Sequence, residues 1–122
     1  RDEFLTAPYP IVCLPEDWLI APPPWGRGRI VLIGDAARGI PHLGQGAAQA
    51  IEFGVVLAEC LAAGESTGDA FERYTERRYA RCKLIVESSV QFGEYGMDPT
   101  STLSFDYASL TQHVLEERVR PI

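Results

Sequence analysis

A chain of 122 residues accommodates one domain with a modest core, and 46% hydrophobic beside 23% charged residues is the balance of a soluble globular protein. The net charge of −6 argues against nucleic acid as a partner, because phosphate recognition needs clustered Lys and Arg. Pro, Gly or charge interrupts every apolar run before it reaches the length of a membrane span, and the opening Arg1-Asp2-Glu3-Phe4-Leu5 is no signal peptide, so a cytoplasmic protein is expected. Three cysteines without paired spacing, Cys13, Cys60 and Cys82, read as reduced thiols rather than as a disulfide frame or zinc site.

The first 26 residues are rich in proline, which removes a backbone donor and holds the preceding residue extended. Residues 9–14 and 18–21 are therefore short edge strands at most, with Asp17-Trp18-Leu19-Ile20 the better candidate. Gly26-Arg27-Gly28 leads into Arg29-Ile30-Val31-Leu32-Ile33-Gly34-Asp35. Four consecutive branched aliphatics between turn signals fit a strand buried on both faces of a parallel sheet. No second run of this kind exists in the chain, so the remaining strands are expected from another segment or another chain.

A loop over residues 36–44 separates that strand from a helical pattern starting at Gln45. Ala47, Ala50, Ile51, Gly54, Val55, Ala58, Leu61 and Ala62 share one face, and their small size implies close approach to another backbone. Gly64 is placed to end this helix in a left-handed cap. Asp69 with Glu72 reads as a capping box opening a second helix to about Gln91, with Phe71, Tyr74, Cys82, Ile85 and Ser89 on its inner stripe. Gly93, Gly96 and Pro99 should break it, and a third helix spans about residues 107–118. Arg73, Arg77, Arg78, Arg81 and Lys83 read as a solvated face with local ion pairs to Glu72 and Glu76. Trp18 and Trp25 suit either the core or a substrate side, and Cys82 reads as a small core hydrophobe. His42 and His113 are far apart and form no metal pair; no metal is expected.

The chemistry concentrates in residues 28–59. A carboxylate just past the C-terminal end of a buried parallel strand, here Asp35, lies where open α/β sheets bind ligands and can accept hydrogen bonds from polyol hydroxyls. Gly44 and Gly46 let backbone approach a flat ligand, and the helix that follows points free N–H groups and its positive dipole end into the same crevice. Such a site suits a polyol chain attached to a ring that gains negative charge.

The stretch Trp25-Gly-Arg-Gly-Arg-Ile-Val-Leu-Ile-Gly-Asp-Ala-Ala-Arg-Gly-Ile-Pro-His-Leu-Gly-Gln-Gly-Ala-Ala-Gln-Ala-Ile-Glu52 resembles the second FAD fingerprint of the group A flavoprotein monooxygenases, the p-hydroxybenzoate and salicylate hydroxylase family. Residues 15–93 resemble the C-terminal third of such enzymes, including Arg81-Cys82-Lys83-Leu84-Ile85-Val86-Glu87-Ser88-Ser89 in the long helix. The resemblance implies an α/β fold that is the C-terminal portion of a Rossmann-like FAD-binding fold. Seen alone, that portion should be mostly helical, with one buried strand and one or two short extended segments.

It further implies that Asp35 hydrogen-bonds the ribityl chain of FAD, and that Gly44, Gln45 and Gly46 form the loop under the isoalloxazine. The N–H groups of Ala47 and Ala48 would face the N1/O2 edge, and Pro41 the C4a edge where the substrate stacks. The implied activity is hydroxylation of an aromatic or conjugated ring with NAD(P)H as co-substrate and O2. Residues 1–26 would come from the substrate-domain side, 27–64 would complete the FAD-binding domain, and 65–122 would form a C-terminal helical region.

No Gly-x-Gly-x-x-Gly follows a strand, so nothing is expected to hold the ADP half of FAD, and the partner implied is the missing N-terminal FAD-binding region, in the same or a separate chain. A homodimer is compatible with this. Arg38 stands where the family has His, the loop 38–41 is one residue shorter, and Phe53 replaces an acidic residue. Arg38 and Phe53 favour the alternative of a non-catalytic, truncated copy that pairs with another chain; Asp35 and the 44–46 loop favour the enzyme.

Overall fold

The computed structural model describes residues 17–40, 44–64, 66–97 and 107–120. It is mostly helical, with three helices, α1 (Gly46–Ala62), α2 (Thr67–Met97) and α3 (Tyr107–Val119), and two small antiparallel strand pairs. β1 (Leu19–Ile20) pairs with β4 (Arg38–Gly39), Leu19 opposite Gly39 and Ile20 opposite Arg38. β2 (Gly26–Arg27) pairs with β3 (Ile30–Val31) around a tight turn in which Gly28 takes φ +62°, a conformation glycine adopts without steric cost. β3 leads through Leu32 and Ile33 into a 3-10 turn, Gly34–Ala36.

The expected strand over residues 30–33, buried on both faces, is corrected by this geometry. Only Ile30–Val31 forms regular strand, its partner is antiparallel, and Ile30 is 75% and Ile33 47% exposed. The far edge of β3 pairs with nothing among the described residues, so its aliphatic run has no second sheet neighbour to bury it.

The core lies between the strand pairs and the two longer helices. Trp25 is its centre: its ring lies 5.5 Å from Phe53, 5.9 Å from Tyr74 and 5.8 Å from Tyr79, all tilted or edge-on as aromatic quadrupoles prefer. Its indole Nε1 donates to Ala21 O at 2.9 Å, satisfying the one polar atom that this burial hides from water. Val56, Cys60, Ala70 and Cys82 close the cluster. Tyr74 ties α2 to the strand side by donating its hydroxyl to Leu32 O at 2.9 Å, and burial pushes that phenol's pKa up. Trp18, by contrast, is exposed.

α1 buries the face opposite to the one expected. Gln49, Phe53, Val56 and Cys60 point inward, while Ala47, Ala50, Ile51, Gly54, Val55, Ala58, Leu61 and Ala62 are all exposed, Ile51 by 69%. Both stripes have helical spacing, and the one with the aromatic ring has more area to remove from water. Gly64 ends the helix at φ +77° as expected.

α2 starts one turn earlier than the expected box. Ser66 is the cap: its Oγ accepts from the Asp69 N–H at 3.2 Å and donates to Asp69 Oδ2 at 2.7 Å. Ser66→Ala should therefore cost about 1 kcal/mol of stability, read by chemical denaturation; an unchanged midpoint would show the helix start held by packing alone. Phe71, Tyr74, Cys82, Ile85 and Ser89 are buried as the stripe requires. The helix nevertheless continues past Gln91, through Gly93 and Gly96, to Met97. Each glycine weakens a helix by only about 1 kcal/mol, a deficit that tertiary packing readily offsets. Pro99 lies outside the described residues. α3 packs on α2 close to the expected span.

Candidate functional site

The turn after β3 places the first site residue. Gly34 adopts φ +54°, which a side chain would strain, and the chain then closes a 3-10 turn with Ala37 N donating to Gly34 O at 3.0 Å. Asp35 sits in this turn with its side chain exposed. The turn packs against α1: a Cβ built on Gly34 would lie 3.8 Å from Ala50 Cβ. Ala21 N donates to Ala37 O at 2.8 Å, so the turn is held from the other side by the chain that follows β1.

The start of α1 supplies the second element. Gly44 is exposed at φ +60°, Gln45 is the N-cap residue, and the first intrahelical bond runs from Gln49 N to Gln45 O at 3.0 Å. Helix geometry leaves the N–H groups of Gly46, Ala47 and Ala48 without intrahelical acceptors. Gln45 makes no side-chain cap and no acidic residue lies in the first turn, so among the described residues no side-chain cap or first-turn carboxylate offsets the positive dipole end. A Cβ added at Gly44 or Gly46 would meet no atom within 4 Å, so the approach to the helix end is open. Pro41, with His42 and Leu43, lies outside the described residues.

Beneath this surface is a polar network that periodicity did not reveal. The basic run on α2 is a solvated face only in part: Arg73, Arg77 and Lys83 are exposed, Lys83 lying 3.8 Å from Glu87 one turn on, whereas Arg78 and Arg81 turn inward. Arg78 is 0% exposed, donates Nη1 to Glu52 Oε2 and Nη2 to Gln49 Oε1, each at 2.6 Å, and lies 4.9 Å over the Phe53 ring. Arg81 reaches the other oxygen of Glu52 at 3.3 Å, and Arg77 pairs with Glu59 at 2.8 Å. All three reach across to α1, because α2 turns this stripe toward it rather than toward Glu72 and Glu76. Cys82 lies in the same pocket, where burial pushes its thiol pKa up despite the neighbouring Arg78.

Arg38 joins this buried cluster. It is 0% exposed and its guanidinium stands 5.6 Å over the Phe53 ring, so Arg38 and Phe53, both singled out in the sequence, meet each other. Among the described residues none of its three guanidinium nitrogens has a hydrogen-bond partner of good geometry; the nearby Cys82 sulfur is a weak, poorly aligned acceptor that also acts electrostatically. Burial, opposed in part by Cys82, lowers its pKa. A guanidinium nevertheless stays protonated. Among the described residues no group of three or more His, Cys, Asp or Glu could hold a metal ion, and no helix is long and apolar enough to cross a membrane.

No protein-family model matches the chain, and no solved structure matches it. Curated relatives do. It is 60% identical over 70 residues to 6-hydroxynicotinate 3-monooxygenase of Pseudomonas fluorescens, covering 55% of this chain and 18% of that protein. It is 42% identical over 73 residues to aurachin C monooxygenase/isomerase of Stigmatella aurantiaca, covering 59% and 19%. With the putative FAD-dependent monooxygenase YetM of Bacillus subtilis it shares 37% over 88 residues, covering 71% and 24%. The chain thus spans about a fifth of the length of the curated relatives it matches. Over more than half of its own length it is similar to one part of an FAD-dependent aromatic monooxygenase.

Proposed function

We propose that this chain supplies the flavin-binding end of an FAD- and NAD(P)H-dependent monooxygenase that hydroxylates an aromatic or conjugated ring, as the C-terminal portion of a Rossmann-like fold. The observation that carries the reading is the pairing of an exposed carboxylate, Asp35, with the uncapped N-terminus of α1, the turn of one packed against the other. The residues fit the cofactor's flavin end. Asp35 can accept from ribityl hydroxyls, and Gly44, Gln45 and Gly46 leave an open backbone approach. The N–H groups of Ala47 and Ala48 can donate to an edge that becomes anionic on reduction, a dipole contribution of about 0.3–1 kcal/mol and up to ~2 when partly buried. Bound FAD would supply the redox and oxygen chemistry, while the protein supplies position and electrostatics.

The exposed Ile30 and Ile33 and the uncovered α1 face suit a chain whose sheet is completed by further polypeptide, which would also hold the ADP half of the cofactor. The same α1 face supports a second reading, a non-catalytic module that pairs with another chain through it. The complete polypeptide to which these residues belong decides between them. It should purify with one FAD per chain and oxidise NAD(P)H when offered hydroxylated aromatic acids and quinolones, whereas residues 1–122 alone should let FAD pass through a desalting column. A complete polypeptide that takes up no flavin would overturn the enzyme reading, and a yellow stoichiometric complex of residues 1–122 alone would overturn the need for the rest.

A further inference from the structure

Arg38 presents an energetic problem. A buried cation without hydrogen bonds is among the most costly groups a protein can hold, and ordinary packing offers cheaper occupants of the same volume. Its surroundings do not neutralise it. Glu52, the carboxylate that pairs with its neighbour Arg78, has both oxygens already engaged, one by Arg78 and the other by Arg81. Besides Arg78, which opposes it, the groups acting on Arg38 are the protonated thiol of Cys82 and Asp35, whose side chain faces solvent. The Phe53 ring at 5.6 Å gives a cation–π contact, but Arg78 shares the same ring at 4.9 Å.

The backbone at this position is fixed. Arg38 opposes Ile20 in the β1–β4 pair and follows the Asp35 turn by two residues, so its charge is held under that turn while Asp35 points outward. A charge buried in protein is screened by water and salt far less than a surface charge, and its field extends to nearby groups that change charge.

Resting on the flavin reading above, we propose that Arg38 is an electrostatic tuning residue of the cofactor site, an un-neutralised cation kept beneath the Asp35 turn to favour the reduced, negatively charged flavin over the oxidised, neutral one. It touches neither cofactor nor substrate and acts through the interior. Stability is given up at this position for a field at the site, a trade that functional positions commonly show.

The test uses the complete, FAD-loaded protein and the variants Arg38→Met, which keeps length and removes charge, and Arg38→Lys, which keeps charge. Two readouts are taken at one pH: the flavin midpoint potential and the melting temperature of the flavin-free protein. Arg38→Met should weaken binding of reduced relative to oxidised flavin by about tenfold, the order expected of one charge acting across a few side chains of protein interior. It should also melt higher than the parent, because an orphaned cation has been removed. Arg38→Lys should keep the potential close to the parent's. An unchanged potential in Arg38→Met, or equal shifts in both variants, overturns the proposal. So does a lower melting temperature for Arg38→Met, which would make Arg38 a structural residue, or loss of flavin by Arg38→Met alone, which would make it a binding one. A parent protein that holds no FAD fails earlier and sinks the flavin reading itself, while the melting comparison still reports whether Arg38 is unpaired.

Discussion

Arg78→Met should lower the folding stability of the complete polypeptide by about 3 kcal/mol. Arg78 is fully buried between α1 and α2 and donates to Glu52 and Gln49 at 2.6 Å each. Removing it leaves the buried Gln49 amide without its donor and Glu52 with only Arg81, at 3.3 Å. Breaking a buried pair by deleting one partner costs about 3–5 kcal/mol, much of it the penalty for the group left behind. The lower end applies here, because Arg81 remains and Glu52 is partly exposed. Removing Lys83, which lies 3.8 Å from Glu87 with both side chains about half exposed, should change stability by less than about 0.5 kcal/mol. Urea denaturation of the two variants measures both. Equal small effects would mean that the Arg78 network does not join the helices in solution.

Asp35→Ala should leave the fold intact and weaken FAD binding by about one to two decades. The side chain is exposed, and its recorded interaction with the protein is a long-range electrostatic one with the buried Arg38. Most of the effect should therefore fall on the ligand. Losing a charged acceptor costs roughly 1.5–3 kcal/mol, which corresponds to that range of dissociation constant. Fluorescence titration of the apoprotein with FAD reads the affinity, and circular dichroism checks the fold. A variant that kept both its fold and its full affinity would make Asp35 a strand-end residue without a cofactor role.

Much of the local structure was legible from the sequence for identifiable reasons. Gly28 and Gly64 sit at positive φ where turn chemistry requires it, α1 and α3 lie close to their expected spans, and the stripe from Phe71 to Ser89 is buried on α2. What was not legible depends on choices between partners. α1 carries two stripes of helical spacing, and periodicity cannot say which one α2 covers; the size of Phe53 was the available signal. The arginines of α2 were read against neighbours on their own helix, whereas the acceptors Glu52 and Gln49 lie 26 and 29 residues away. The run from Ile30 to Ile33 asks for a two-sided sheet, and the described residues contain only one antiparallel neighbour for it. At the candidate site, glycine placement and strand-end logic single out Asp35 and the 44–46 loop as candidates, and the structure places Asp35 in an exposed turn and Gly44 to Gly46 at the start of α1. Nothing in the sequence hinted that Arg38 would be buried over Phe53, because Arg38 belongs to no periodic pattern and the stripe that carries Phe53 does not say what packs on it.

Amide hydrogen exchange of the complete polypeptide, with and without FAD, tests the central claim most directly. The N–H groups of Gly46, Ala47 and Ala48 have no intrahelical acceptor and no side-chain cap, so in the apoprotein they should exchange quickly. If the flavin edge accepts from this helix end, FAD should slow exchange at these positions and at the Asp35 turn, while the C-terminal part of α2 stays unchanged. Saturating FAD with no added protection at either place would contradict the account, because the cofactor would then be bound somewhere else.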